Sequence, residues 1–130
     1  AEGRAMRAGM VIKGRFPSLS DYVDAERADR HVGAKMKRRE TARAEAAAIA
    51  QGLPRFSGPV AVRFLWVEPN RRRDLDNVAF AKKFVLDGLV AAGVLENDGQ
   101  RHVVALQDSF EVDPANPRVM VEVMDVDPRR

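Results

Sequence analysis

The stretch PVAVRFLWV, residues 59–67, limits the possible folds more than any other part of the chain. Its β-branched and aromatic residues are dense enough to predict a strand that is at least partly buried. A buried strand must pair its backbone amides and carbonyls with neighbours, so a sheet is required, and the rest of the sequence offers its members. Residues 11–16 read as a short first strand ended by Pro17, and residues 102–112 and 118–126 read as two later strands joined through PANP. Between them lie helical stretches. Ser18 or Ser20 can cap a helix reaching about Arg27. A longer helix, rich in Ala, Lys, Arg and Glu, is expected over residues 29–51 and stopped by Gly52 and Pro54. After a polar loop, EPNRRR, a third helix is expected over residues 77–92, with Asp76 as N-cap and Gly93 as the residue that ends it. The order β-α-α-β-α-β-β predicts an α+β fold, a small mixed sheet with helices packed on it.

A chain of 130 residues, 45% hydrophobic, is long enough for one domain with a real core and short for two. Residues 1–130 are therefore expected to form a single domain, with residues 1–10 as a flexible N-terminal segment. AEGRAMRAGM carries charge but lacks the apolar centre of a signal peptide. The chain has no cysteine, which excludes disulfides and thiolate metal sites and agrees with a cytoplasmic location. Its apolar runs are too short to cross a membrane. With His31 and His102 as the only two histidines, chemistry built on imidazole ligands is poorly served.

Net charge is +3, but its distribution is uneven. Residues 1–73 hold 16 Lys and Arg against 8 Asp and Glu, whereas residues 74–130 hold 6 against 11. A basic half joined to an acidic half suggests a polyanion-binding surface beside a carboxylate-rich site. Arg71, Arg72 and Arg73 suit phosphate positioning in a loop, because each offers a forked set of donors. Lys35, Arg39 and Arg43 recur at i, i+4 and i+8 on the long helix with Arg38 beside them, a stripe able to follow a DNA backbone. Uneven surface charge and a solvated helix face account for the same residues taken singly.

Asp74 and Asp76 flank Leu75 where the loop meets the third helix. If 74–76 is extended, both carboxylates face one side, and a hard divalent cation with water and phosphate oxygens fits between them. Alone, such a pair is also a turn and a helix cap. Asp98, before Gly99, supplies a third carboxylate or is an ordinary turn residue; Glu96 is the second choice. At 100° per residue Lys83 and Asp87 lie within about 20° of Asp76 around the axis, on one helix face. Lys83 is then placed to hold a phosphate oxygen, or simply to pair with Asp87. Lys82 points elsewhere and reads as a surface residue, and Trp66 reads as a core residue of its strand. The opposite face, Val78, Ala81, Val85, Leu89 and Ala92, is the core stripe. Phe80, Phe84, Leu86 and Val90 lie outside it, so this helix needs a second cover, either another layer of the domain or a second copy of the chain.

The string RRRDLDNVAFAKKFVLDGLVAAGVLENDGQ resembles the RusA family of crossover junction endodeoxyribonucleases, the Holliday junction resolvases, and in particular its phage-type branch. The matching elements are Arg73, Asp74, Asp76, Asn77, Lys83, Asp87-Gly88-Leu89, Gly93 and Asp98. FPSLSDYVDAER and GAKMKRRE upstream are also similar. The resemblance implies Asp74, Asp76 and Asp98 as ligands of Mg²⁺ or Mn²⁺ and Lys83 as the catalytic lysine. It further implies a homodimer that nicks a four-way DNA junction symmetrically by in-line attack of water on phosphate. It implies neither a membrane nor an organic cofactor. One departure is that many members carry the lysine four residues after the second aspartate, where this chain has Phe80. The competing readings are a branched-DNA-binding module without catalysis and a nuclease for flaps or other branched DNA.

Overall fold

The computed structural model describes residues 5–126. Eight elements follow one another: β1 (Arg7–Lys13), α1 (Leu19–Ala28), α2 (Arg30–Ala50), β2 (Val60–Glu68), α3 (Leu75–Ala79), α4 (Lys82–Ala91), β3 (Val103–Val112) and β4 (Arg118–Asp125). The expected class and element order hold, with the third helix divided in two. The first strand starts at Arg7, ahead of the expected residue 11, because Met10 and Ile12 both reach the core and Met10 has no place there unless the strand begins earlier. Residues 7–10 are thus sheet. The remainder of the expected flexible segment lies outside the described residues up to residue 4.

The strands form one mixed sheet in the order β1-β4-β2-β3. β4 pairs antiparallel with both β1 and β2, and β3 runs parallel to β2 at the opposite edge. β3 and β4, consecutive in sequence, are therefore separated by β2. The parallel β2–β3 pair requires a crossover, and α3 and α4 form it. At the other edge, the Gln51 side chain pairs with the backbone of Val11. Its amide donates to the Val11 carbonyl, and its Oε1 accepts from the Val11 N–H. These groups would otherwise be open to strand addition.

Alternation sets which face of the sheet is covered. Val60, Val62, Phe64 and Trp66 of β2 join Val119, Val121 and Val123 of β4 on the helix side, all buried. Against them pack Ala44 and Ala48 of α2 and Phe84, Val85 and Leu89 of α4. Ser18 caps α1 in a reciprocal capping box with Asp21, and Asp29 caps α2. Gly93, at φ 79°, ends α4 in the left-handed region as expected.

The apolar excess of the third helix is covered within the chain. Phe84 and Leu86 are buried, and Phe80 packs at 5.5 Å from Tyr22 of α1. α2 lies close against α4 at Gly88, where an added Cβ would stand 2.6 Å from the Ala44 Cβ and 2.9 Å from the Thr41 carbonyl oxygen. Backbone cannot move aside cheaply there. Gly88→Ala is expected to lower stability by about 1–3 kcal/mol, the usual cost of overpacking, although alanine is the better helix former. Urea denaturation checks it, and a midpoint equal to wild type would contradict the packing described.

Candidate functional site

The helix expected over residues 77–92 breaks at Phe80-Ala81. Lys83 N–H donates to the Phe80 carbonyl and Phe84 N–H to the Ala81 carbonyl, a tighter, three-residue pattern. Each residue in such a turn advances the chain about 20° further around the axis than in an α-helix. Beyond this break Lys82 lines the same cleft as Asp76, and Lys83 lies against Asp98. Lys82 is thus no free surface residue.

Asp74 is the N-cap of α3, with extended backbone (φ −65°, ψ 151°), and Asp76 lies inside the first helical turn. The expected capping role of Asp76 therefore belongs to Asp74, whose side chain makes no capping hydrogen bond. Because the helix begins at Leu75, the extended geometry that would aim both carboxylates to one side does not occur. They line two neighbouring clefts. Asp74 faces one of about 370 Å³ with Glu68, Asn70, Arg71 and Glu111. Asp76 faces another of about 410 Å³ with Lys82, Asp108 and Phe80. Leu75 and Phe110 line both.

In the second cleft Lys82 Nζ donates to Asp108 Oδ2 at 2.6 Å. The other carboxylate oxygen accepts from the Trp66 indole N–H at 2.8 Å. Asp76 forms no ion pair among the described residues; its Oδ1 accepts only from the Asn77 N–H. Asn77 in turn ties α3 to α1, its Oδ1 accepting from both the backbone N–H and the hydroxyl of Ser20. The cleft thus holds two carboxylates against one ammonium.

Asp98 is placed elsewhere. Its Oδ2 accepts from Lys83 Nζ at 3.3 Å, and Asp87 lies 3.2 Å from the same nitrogen. The hydrogen bond to Asp87 above all, against an opposing effect of burial, together with the charges of Asp87 and Asp98, raises the Lys83 pKa above the usual lysine value. Lys83 therefore remains an ammonium at neutral pH and is no candidate base. Glu96 pairs with Arg55 at 3.8 Å.

Among the described residues, no three His, Cys, Asp or Glu side chains form a group that could hold a metal ion. The three aspartates do not converge on a ready-made cage. What fits a hard cation is narrower: Mg²⁺ keeps most of its water and needs only one or two carboxylates plus phosphate oxygens. Asp76 offers one in a cleft of excess negative charge, with Asp74 on the far side of Leu75.

The basic residues divide into two sets. Arg73 turns inward, donating to the Phe16 carbonyl at 2.9 Å and to Asp21 at 3.1 Å, with Glu68 at 3.8 Å. Arg43 stacks 4.3 Å over the Phe16 ring, pairs with the buried Glu40 and donates to the carbonyls of Arg15 and Lys13. Arg39 also pairs with Glu40, at 2.9 Å. Arg43 and Arg73, expected to contact DNA phosphates, thus already have guanidinium donors engaged by interior carbonyls and carboxylates. Lys35, Arg38, Arg71 and Arg72 are exposed and carry no ion pair among the described residues.

Sequence reasoning missed Asp108 and the Arg15–Glu68 pair, at 2.6 Å. One available signal was a single acid within VVALQDSF; another was the indole N–H of a core tryptophan, which requires an acceptor. No protein-family model matches the chain, and no curated protein matches it. Among solved structures it is similar to one titled "Crystal Structure of Hydrogenase Maturation Protein HypE", at 14% identity and a TM-score of 0.35, over 98% of this chain and 34% of that one. The chain spans about a third of that protein's length, and a likeness of this degree carries no argument about fold or function.

Arg43→Ala is expected to cost about 1–3 kcal/mol of stability, because it leaves the buried Glu40 with one partner fewer. Arg71→Ala should stay within about 0.5 kcal/mol of wild type. Thermal denaturation distinguishes them, and equal losses would contradict the division.

Proposed function

We propose that the chain is a Mg²⁺- or Mn²⁺-dependent endodeoxyribonuclease acting on branched DNA, a four-way junction in the first instance, in the manner of the RusA family it resembles. The observation that carries this reading is the cleft of Asp76, Lys82 and Asp108. An uncompensated carboxylate lies beside a lysine already fixed in place, at the mouth of a helix whose preceding loop exposes Arg71 and Arg72. With its excess negative charge the cleft repels a bare phosphodiester and attracts a divalent cation.

When bound, the ion would supply an activated water and offset charge on the phosphate oxygens. Asp76 would hold it, with Asp74 the nearest further carboxylate. The ammonium in the cleft would meet a phosphate oxygen, and the exposed Lys35, Arg38, Arg71 and Arg72 would hold the backbone away from the cut. Asp98, joined to Lys83, would contribute as a ligand only by leaving that lysine. Two symmetric nicks on one junction call for a homodimer.

The branched-DNA-binding module without catalysis remains the competing reading, and the apolar residues exposed along β3 (Val104, Leu106 and Val112) suit a binding surface as well as a dimer contact.

The deciding experiment follows cleavage of an end-labelled four-way junction with Mg²⁺ or with EDTA. Wild type should nick it only with metal. Asp76→Asn should lower the rate on the order of 10²-fold or more, the scale of losing a group that acts on transition-state charge. Tight junction binding without cleavage under Mg²⁺ or Mn²⁺ would overturn the nuclease reading in favour of the binding module.

A further inference from the structure

Both oxygens of Asp108 are engaged, by groups from two different elements. Trp66 of β2 is 1% exposed, and its indole N–H must find an acceptor inside the protein. Asp108, on the neighbouring β3 strand in register with Phe64, supplies it at 2.8 Å. That bond fixes the carboxylate plane. The second oxygen then holds Lys82 Nζ at 2.6 Å, and Lys82 and Asp108 keep side-chain exposures of only 25% and 22%. A flexible lysine at the head of α4 is thereby fixed in the wall of the Asp76 cleft, with two of its three N–H donors uncommitted.

Lys83, also paired with carboxylates, is placed differently. It is 53% exposed, shared between Asp87 and Asp98 at 3.2 and 3.3 Å, and absent from the lining of that cleft. An ammonium bracketed by two carboxylates outside the cleft has less to offer an entering phosphate than one held from behind by a single carboxylate.

We propose that Lys82 is the phosphate-contacting lysine of this site and that Asp108, itself oriented by Trp66, is the residue that positions it. This rests on the Asp76 cleft being the working site, and it transfers to Lys82 the role that the sequence resemblance gives to Lys83. If Asp108 served only to satisfy the Trp66 indole, an amide at that position would do as well, since asparagine retains an acceptor oxygen. If it positions Lys82, the loss of charge releases the lysine.

Trp66 is the only tryptophan in the chain, so its emission reports on this one carboxylate. The test compares wild type, Lys82→Gln, Lys83→Gln and Asp108→Asn. Melting temperatures by circular dichroism are measured first, to establish that each variant folds. Trp66 emission is then followed during titration with a four-way DNA junction, with Ca²⁺ in place of Mg²⁺, and junction cleavage is measured with Mg²⁺. Wild type and Lys83→Gln should show the same emission change on DNA binding, and Lys82→Gln and Asp108→Asn should lose most of it. In cleavage, Asp108→Asn should lower kcat on the order of 10- to 100-fold with KM little changed, the scale of a misplaced catalytic group.

The proposal is overturned if Lys82→Gln responds like wild type while Lys83→Gln does not. It fails equally if Asp108→Asn, folded, matches wild type in both emission and kcat, or if DNA leaves the wild-type emission unmoved. A wild type that binds and responds but never cuts would count against the nuclease reading alone, because the emission comparison would still decide between the lysines.

Discussion

At Gly88 the backbone of α4 lies so close to α2 that a methyl group would stand 2.6 Å from the Ala44 Cβ, and the placement of the cleft follows from that approach. α4 is pressed into the angle between α2 and the sheet. Its Phe84, Val85 and Leu89 are buried in the core that β2 and β4 share, and its first residue, Lys82, reaches Asp108 in the middle of β3. The tight turn at Phe80-Ala81 separates α3 from α4, and Asp76 of the one and Lys82 of the other line one cleft.

The same economy governs the charges. Basic residues concentrated before residue 73 do not form one continuous anion-binding strip. Arg15, Arg43 and Arg73 are drawn into contacts with Glu68, Glu40 and Asp21 that join β1, α1, α2 and the β2–α3 loop. Ion pairs of this partly buried kind are strongly destabilising to break, because the remaining partner loses its counter-charge. What remains for a polyanion is the outer set, Lys35, Arg38, Arg71 and Arg72, exposed and without ion pairs among the described residues.

The fold was largely legible. The dense strand at 59–67, the capping serine at Ser18, the long alanine-rich helix and the glycine at Gly93 all point to what forms, because each is a local signal with a local cause. The start of β1 was not, since Arg7 to Met10 has no alternation strong enough to announce a strand and is recruited by pairing with Val121 to Met124. The site was legible in part. Asp76 and a lysine close after it stand out, but which lysine depends on a helix break between Phe80 and Ala81 that no proline or glycine marks. Asp108 depends on strand register between β2 and β3, which brings it to a tryptophan 42 residues earlier in the chain. Arg43 and Arg73 look like free cations in sequence because their acceptors, the carbonyls of Lys13, Arg15 and Phe16, are contributed by distant backbone.

The central claim is that the Asp76 cleft is a cation site coupled to phosphodiester chemistry. The most direct measurement is the binding of Mn²⁺ to the DNA-free protein, followed by the loss of the free-ion paramagnetic resonance signal, in wild type and Asp76→Asn. The account predicts saturable binding by wild type that is weakened at least about tenfold, or about 1.4 kcal/mol, when Asp76 becomes asparagine. Equal binding by the two proteins would place the ion elsewhere and contradict the account.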